Sequence, residues 1–137
     1  METSLNEISE RLIACKGFRW MPGMRTLGDW RIINVDADGV EVVTDLGEVV
    51  LFHSGDLPHI ASSLPDLNDP ATLGCLLYLV REAWGDPGFY AAQSSTKIKD
   101  TDIFAWDTFG YLHGRSCKGM LYRSEAEALV SALESAS

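Results

Sequence analysis

The chain of 137 residues is long enough for one domain, or for two small subdomains that share a core. Its 46% hydrophobic and 23% charged residues are typical of a folded protein and exclude an intrinsically disordered one. The formal net charge of −9 disfavours binding to nucleic acid and to membranes.

The first predicted element is a helix that begins after Ser4. Ser4 and Glu7 have the spacing of a capping box, and Gly17 follows the apolar stripe of this helix. Four β-prone segments come next, separated by turn residues, at 18–21, 30–35, 40–44 and 48–52. The dipeptide Asp38-Gly39 between the second and the third segment is typical of a tight hairpin. This pattern predicts a small, curled antiparallel sheet.

The central helix has clear limits in the sequence. Asp69 is in the N-cap position, Pro70 in the first helical position, and Gly85 follows the last turn. Strands are predicted at 89–93, 103–106 and 120–122, and a last helix begins with the capping pair Ser124 and Glu127. The sequence therefore predicts an α+β fold. Residues 1–64 form a helix with a small antiparallel sheet, residues 65–137 form an α-β-β-β-α subdomain, and the two share one core.

The order of elements in the second half resembles a double-stranded-RNA-binding domain. Such a domain needs basic side chains at the start of its last helix, where they meet phosphates. Here Glu125 and Glu127 occupy that turn. We therefore expect no nucleic-acid partner.

Charges are segregated along the chain. Between Ile32 and Val80 there is no lysine or arginine, whereas eight carboxylates lie there: Asp36, Asp38, Glu41, Asp45, Glu48, Asp56, Asp66 and Asp69. A surface of this kind repels polyanions and can occupy the nucleic-acid-binding groove of a basic protein.

The three cysteines, Cys15, Cys75 and Cys117, are odd in number and far apart, which predicts free thiols in a reducing compartment. No apolar run approaches the length of a membrane span, and the N-terminus has no signal-peptide pattern. We expect a soluble, cytoplasmic protein.

Two segments carry cations and aromatic side chains for which the predicted elements give no structural reason. The segment 18–25 has the composition of a protein interface, with Trp20 as its anchor. The segment 93–118 is rich in hydroxyls and cations and can bind a small anionic ligand such as a nucleotide. The candidate binding residues are Arg19, Trp20, Arg25, Lys97, Tyr111, His113 and Arg115.

Two constellations invite a catalytic interpretation. His53, Asp56 and His59 lie close in sequence and can contribute ligands to a metal ion, but the remaining ligands would have to come from elsewhere in the chain. His113 and Cys117 have the spacing of a base and a thiolate, yet no third group completes them. We expect no catalytic residue, no metal site and no cofactor.

Four segments, at 18–24, 64–77, 80–85 and 124–130, resemble a family of small uncharacterised proteins that bacteriophages and prophages encode. The resemblance brings no catalytic residue and no ligand. It implies a protein at work in the cytoplasm of an infected or lysogenic bacterium, where small accessory proteins bind and counter host defences.

The sequence thus favours a phage-encoded, non-enzymatic protein that binds and inhibits a bacterial defence component through the acidic surface or the Trp20 region. The alternative is sequestration of an anionic small molecule, such as a nucleotide signal, by cations that include Arg25, Lys97 and Arg115. A metal-dependent hydrolase is the second alternative. The expected partner is a bacterial host protein or a small anionic ligand, and the sequence does not give the oligomeric state.

Overall fold

The computed structural model describes residues 4–53, 63–110, 114–115 and 122–136, with the backbone alone at 95–96 and 114–115. Within these residues the chain forms three helices and six strands: α1 (Leu5–Ile13), β1 (Arg31–Asp36), β2 (Gly39–Val43), β3 (Val49–Phe52), α2 (Pro70–Trp84), β4 (Tyr90–Lys97), β5 (Phe104–Gly110), β6 (Gly114–Arg115) and α3 (Glu125–Ser135). The strands form two antiparallel sheets, in the orders β1-β2-β3 and β4-β5-β6. The α+β class predicted from the sequence is confirmed.

The chain divides into two compact units. One contains α1 and the first sheet and ends at Cys75, and the other begins at Leu76 and takes in Cys15–Gly17. This division falls inside α2, whereas the sequence placed the boundary between residues 64 and 65. The first turn of α2 belongs with the first unit because the Thr72 hydroxyl accepts a hydrogen bond from the Arg25 N–H at 2.9 Å. A core shared by the two units stays a prediction.

The N-terminal helix α1 begins as the capping box predicts. The N–H of Glu7 donates to the Ser4 hydroxyl oxygen at 3.2 Å. Ile8 is buried on the apolar face of the helix, and the neighbouring Ser9 hydroxyl donates to the Pro65 carbonyl at 2.8 Å. This bond holds α1 against the segment that leads into α2. No described helix combines the length and the apolar character that crossing a membrane requires.

The segment between α1 and β1 is irregular at 18–21, so the strand predicted there is wrong. The backbone pairs later instead: the Gly23 N–H donates to the Ile32 carbonyl, and the Ile32 N–H donates to the Met24 carbonyl, both at 2.8 Å. Pro22 has no N–H to give to a ladder, and Gly23 turns the chain with φ +100°. Extended pairing therefore starts only after this turn.

The first sheet has a tight hairpin between β1 and β2. Asp36 lies opposite Gly39, as the Asp38-Gly39 pair predicts. Gly39 has φ +139°, and a Cβ at this position would overlap the carbonyl oxygen of Phe52 on β3. Glycine is therefore required where the hairpin meets the third strand. The buried apolar side chains of this unit are Ile8, Leu12, Trp20, Met24, Ile32, Val40, Val42, Leu64 and Leu67.

The central helix α2 begins and ends where the sequence predicts. The Thr72 N–H donates to Asp69 Oδ2 at 3.0 Å, which makes Asp69 the N-cap, and Gly85 ends the helix with φ +61°. Leu76 is fully buried, as expected. Tyr78 is half-exposed, so the helix is not covered on all sides as its apolar composition suggested.

The last helix and the second sheet pack together in the second unit. The Glu127 N–H donates to the Ser124 hydroxyl oxygen at 3.1 Å, which confirms the predicted cap, and α3 packs against β4 and β5. Of the strand predicted at 120–122, residues 120–121 lie outside the described residues, and Tyr122 forms an isolated bridge with Trp106. The buried apolar side chains of this unit are Leu76, Leu79, Val80, Phe89, Ala105, Tyr122, Ala126, Ala128, Leu129, Val130, Ala132 and Leu133.

Candidate functional site

The structure buries Trp20, which the sequence predicted to be an interface anchor. Its side chain is only 6% exposed, and the Phe18 ring meets it edge-on with ring centroids 5.3 Å apart. Arg19 is exposed beside it. Arg25 forms an ion pair with Asp29, and its Nε lies 4.0 Å from Asp66 Oδ2. Trp20 is therefore a core residue, and the Arg25 cation is already neutralised within the fold.

The second predicted patch does not converge in the described backbone. The Lys97 ammonium lies over the Phe104 ring, 5.3 Å from its centroid, and Lys97 is opposite Phe104 in the sheet. The Arg115 backbone lies opposite Phe109, which follows Phe104 on strand β5. The rise of an antiparallel strand separates these two positions by about 17 Å. Tyr111 and His113 lie outside the described residues.

The proposed metal ligands are only partly described. His53 is exposed at the end of β3, and Asp56 and His59 lie outside the described residues. In the part of the chain that is described, no three His, Cys, Asp or Glu side chains are grouped so that they could hold a metal ion. Cys75 is a free thiol, and burial, aided by the charge of Asp69, raises its pKa. Cys117 lies outside the described residues.

The outer face of the first sheet carries exposed apolar side chains, and packing within the fold does not account for their exposure. In the β2–β3 pairing, Val50 lies opposite the buried Val42, so these two share the face of the sheet that meets the core, although Val50 at the sheet edge is itself 37% exposed. Val49 and Leu51 alternate with Val50 and therefore point to the opposite, outer face. Their side chains are 59% and 39% exposed. Strand β3 thus presents apolar side chains to solvent.

Three carboxylates lie near these apolar side chains, one in the sheet and two in the turn before β3. Glu41 lies directly opposite Leu51 in the sheet, and Asp45 and Glu48 flank the turn that leads into β3. Leu46 stands at the tip of the same turn and is 82% exposed. We call this set the β3 surface, and it consists of Glu41, Asp45, Leu46, Glu48, Val49 and Leu51.

No described lysine or arginine neutralises the β3 surface. Among the described residues no cation forms an ion pair with Glu41, Asp45 or Glu48. Arg31 lies on the same sheet, but its guanidinium binds the Asp69 carboxylate, with Nη1 2.9 Å from Oδ2. The β3 surface therefore keeps its negative charge and is suited to a positively charged partner.

The edge of β3 is also open in the described structure. Its sheet has the order β1-β2-β3, and within the described residues β3 pairs with β2 alone. An edge strand presents unpaired N–H and C=O groups, which other chains can pair with. The β3 surface thus combines apolar side chains, negative charge and free backbone groups.

Sequence reasoning placed a strand at 48–52 but did not identify it as a binding site. A signal was present, because residues 49–52 read Val-Val-Leu-Phe without the polar alternation that a half-buried strand normally shows. Either both faces of such a strand are buried or one apolar face remains exposed. The short hairpin with acidic residues on both sides of Leu46 favours the second outcome.

Comparisons with known proteins add no constraint on the site. No family model matches the chain, and no curated protein or solved structure matches it either. The candidate site is therefore argued from the geometry and charge of the β3 surface.

Proposed function

We propose that this protein is a non-enzymatic inhibitor that binds a basic protein of a host bacterium through the β3 surface. The observation that carries the proposal is the exposure of Val49 and Leu51 beside Glu41, Asp45 and Glu48, three carboxylates that form no ion pair with a described residue. Protein interfaces have an apolar centre within a polar rim, and the β3 surface has both parts. Its charge also selects a cationic partner.

Binding would inhibit the partner if the cationic surface that it covers is the one that binds nucleic acid. Nucleic-acid-binding proteins present lysine and arginine to phosphates, and a carboxylate-rich protein can occupy the same groove. Defence proteins that act on invading nucleic acid need such grooves. The resemblance of four segments to phage and prophage proteins supports this biological context.

The sequestration alternative receives less support from the geometry. A compact anion needs two or three cations within reach of one another, whereas Lys97 and the Arg115 backbone belong to positions about 17 Å apart along β5. The Lys97 ammonium also already interacts with the Phe104 ring. The metal-dependent hydrolase would depend on Asp56 and His59, which lie outside the described residues, and no described geometry favours it.

Charge reversal on the β3 surface tests the proposed function. The variant Glu41→Lys with Glu48→Lys is expressed in bacteria that carry a nucleic-acid-targeting defence system, and plaque formation by a sensitive phage is counted. The wild-type protein should restore plaques. The variant should lose at least about tenfold of this effect, because like charges across an interface cost several kcal/mol and 1.4 kcal/mol is a factor of ten.

A control variant with the same change in net charge tests whether the position of the charges matters. Glu10 and Asp102 are exposed and lie outside the β3 surface, so Glu10→Lys with Asp102→Lys changes the net charge equally. This control should behave as the wild type. Equal loss in both variants would show that overall charge rather than the β3 surface matters. A wild-type protein that restores plaques on no member of a panel of defended strains would contradict the inhibitor role.

A further inference from the structure

We propose that the partner is held by strand addition: an extended segment with alternating basic and apolar residues pairs with the edge of β3 that no described residue occupies. The inference rests on the proposed function, in which the β3 surface is the docking site, and it names the chemistry and the conformation of the bound segment. It goes beyond charge complementarity because it assigns specific backbone groups to the interface.

The hydrogen bonds of the β2–β3 hairpin determine which backbone groups are free. The Thr44 N–H donates to the Glu48 carbonyl at 2.8 Å, so these two residues form a hydrogen-bonded pair. Hydrogen-bonded and non-hydrogen-bonded pairs alternate along an antiparallel ladder. Val50 therefore bonds to β2, whereas the N–H and C=O groups of Val49 and Leu51 point away from β2 towards the open edge.

Two outward-facing residues separated by one inward-facing residue form the repeat that an added strand recognises. Each of Val49 and Leu51 offers one donor and one acceptor in the plane of the sheet. A strand placed about 4.8 Å beyond β3 would complete these bonds and continue the sheet. The exposed side chains of the same two residues would then contact alternate side chains of the added strand on the outer face.

The charges around the edge specify the side chains of the added strand. Glu41 lies on β2 opposite Leu51, which places it about 10 Å, or two strand spacings, from a residue added beyond Leu51. A lysine or arginine there can lay its aliphatic stem over Leu51 and direct its charge towards Glu41. Glu48 and Asp45 precede β3 and offer a second cation position at the start of the edge.

The same charges disfavour a second copy of this chain as the occupant. A second copy would offer only Val49–Phe52 to the edge, which contains no cation to meet Glu41 or Glu48, and parallel pairing would also place the Glu48 carboxylates of both copies side by side, where like charges are destabilising. Self-association through a flat apolar edge is a common hazard, and charged flanks are a common way to prevent it. The edge therefore favours a basic segment.

Backbone amide NMR with a short synthetic peptide of alternating lysine and valine tests the inference. The peptide should shift the amide signals of Val49 and Leu51 and slow their hydrogen exchange at least about tenfold, as expected for amides that gain a hydrogen bond. The Val50 amide already points to β2 and should change little, which makes it an internal control. The affinity should fall with added salt.

Two matched probes separate backbone pairing from charge attraction. The same peptide with methylated backbone nitrogens at alternate residues keeps its charges but cannot complete the ladder, so it should bind at least about tenfold more weakly. The protein variant Leu51→Pro removes one outward N–H at an edge position that tolerates proline, whereas Leu51→Thr keeps that N–H. Leu51→Pro should abolish peptide binding, and Leu51→Thr should reduce it only a few-fold.

Several results would overturn strand addition. The alternating peptide would fail to bind, or the methylated peptide would bind equally well. The Val49 and Leu51 amides would already exchange slowly in the isolated protein, or the protein would form a dimer in solution that the peptide does not dissociate. If Glu41→Lys with Glu48→Lys still abolishes the plaque phenotype after such a result, the proposed function stands and only the mode of binding is wrong.

Discussion

Arg31 and Asp69 connect the first strand of the sheet to the start of α2 through two hydrogen bonds, from Nη1 to Oδ2 at 2.9 Å and from Nη2 to Oδ1 at 3.3 Å. Asp69 Oδ2 also accepts the N–H and the hydroxyl of Thr72, each at 3.0 Å. Burial alone would raise the pKa of Asp69, but the hydrogen bonds from Arg31 and Thr72 outweigh it, and the pKa lies below its usual value.

This arrangement predicts a pH-dependent stability that Asp69→Asn should remove. Because the pKa of Asp69 is lower in the folded than in the unfolded state, its ionised form stabilises the fold above the unfolded pKa of about 3.9. The excess stability of the wild type over Asp69→Asn should be constant above this pH and shrink in acid, as the pH falls through the folded pKa. Urea unfolding across this range measures it, and a difference that grows in acid would contradict the assignment.

Gly74 within α2 and Gly85 just after its end should respond in opposite directions to alanine. Gly74 is inside the helix, and a Cβ there would meet nothing within 4 Å, so Gly74→Ala should raise the free energy of unfolding by about 0.5–1 kcal/mol. Gly85 also has open space but has φ +61°, so Gly85→Ala should lower it by about 1–2 kcal/mol. Thermal unfolding followed by circular dichroism compares them. If both variants changed the free energy of unfolding in the same direction, local space rather than backbone conformation would determine the effect of alanine.

Two leucines provide a matched test of the core. Leu76 is 0% exposed, so Leu76→Asp should prevent folding, because an unpaired buried carboxylate costs several kcal/mol. Leu46→Asp introduces the same change at the exposed tip of the β3 surface and should alter stability by less than about 0.5 kcal/mol. Soluble yield and circular dichroism distinguish them. A Leu76→Asp variant with an unchanged melting temperature would show that α2 is peripheral.

Trp20→Ala should unfold the protein rather than remove a binding contact. Emptying a buried tryptophan site typically costs about 3–5 kcal/mol, which approaches the whole stability of a small domain. Arg19→Ala, at the exposed neighbour, should cost less than about 1 kcal/mol, since substitutions of exposed residues change stability little. Urea unfolding measures both. A stable Trp20→Ala variant that loses partner binding would restore the interface interpretation of this segment.

The protein should not bind duplex DNA or RNA at physiological salt. The β3 surface and the stretch from Ile32 to Val80 repel phosphates, and binding of this kind needs cations that neutralise them. Gel shifts should show no complex. Micromolar binding that weakens steeply with added salt would mean that the cations outside this stretch form one continuous surface.

Local signals predicted much of the fold because the physics behind them spans only a few residues. A capping serine needs only the N–H group of the third residue after it, which is why Ser4 and Ser124 correctly begin their helices. The strand predicted at 18–21 failed for the opposite reason. There the burial of Trp20 and the turn at Gly23 depend on partners such as Ile32, which the local sequence does not show.

The candidate site could be predicted only in part. The acidic character of residues 32–80 is visible in the sequence, and the structure retains it in Glu41 and Glu48. The sequence indicates that one apolar face of this strand is exposed, but it does not identify Val49 and Leu51 as that face, because a continuous apolar strand gives no sign of which face meets the core. That choice depends on the pairing of Val42 with Val50 and on the packing beneath them.

Val49 and Leu51 point outward, so the residues that determine the chemistry of the exposed edge are not the ones that stabilise the fold. Neither side chain is buried, so other residues can replace them with little effect on folding. If the β3 surface binds a partner, as proposed, such positions can change when the partner changes, while the fold beneath stays constant. Sequence drift among natural variants should therefore concentrate on the outer face of β3 and spare Gly39, whose turn tolerates no Cβ.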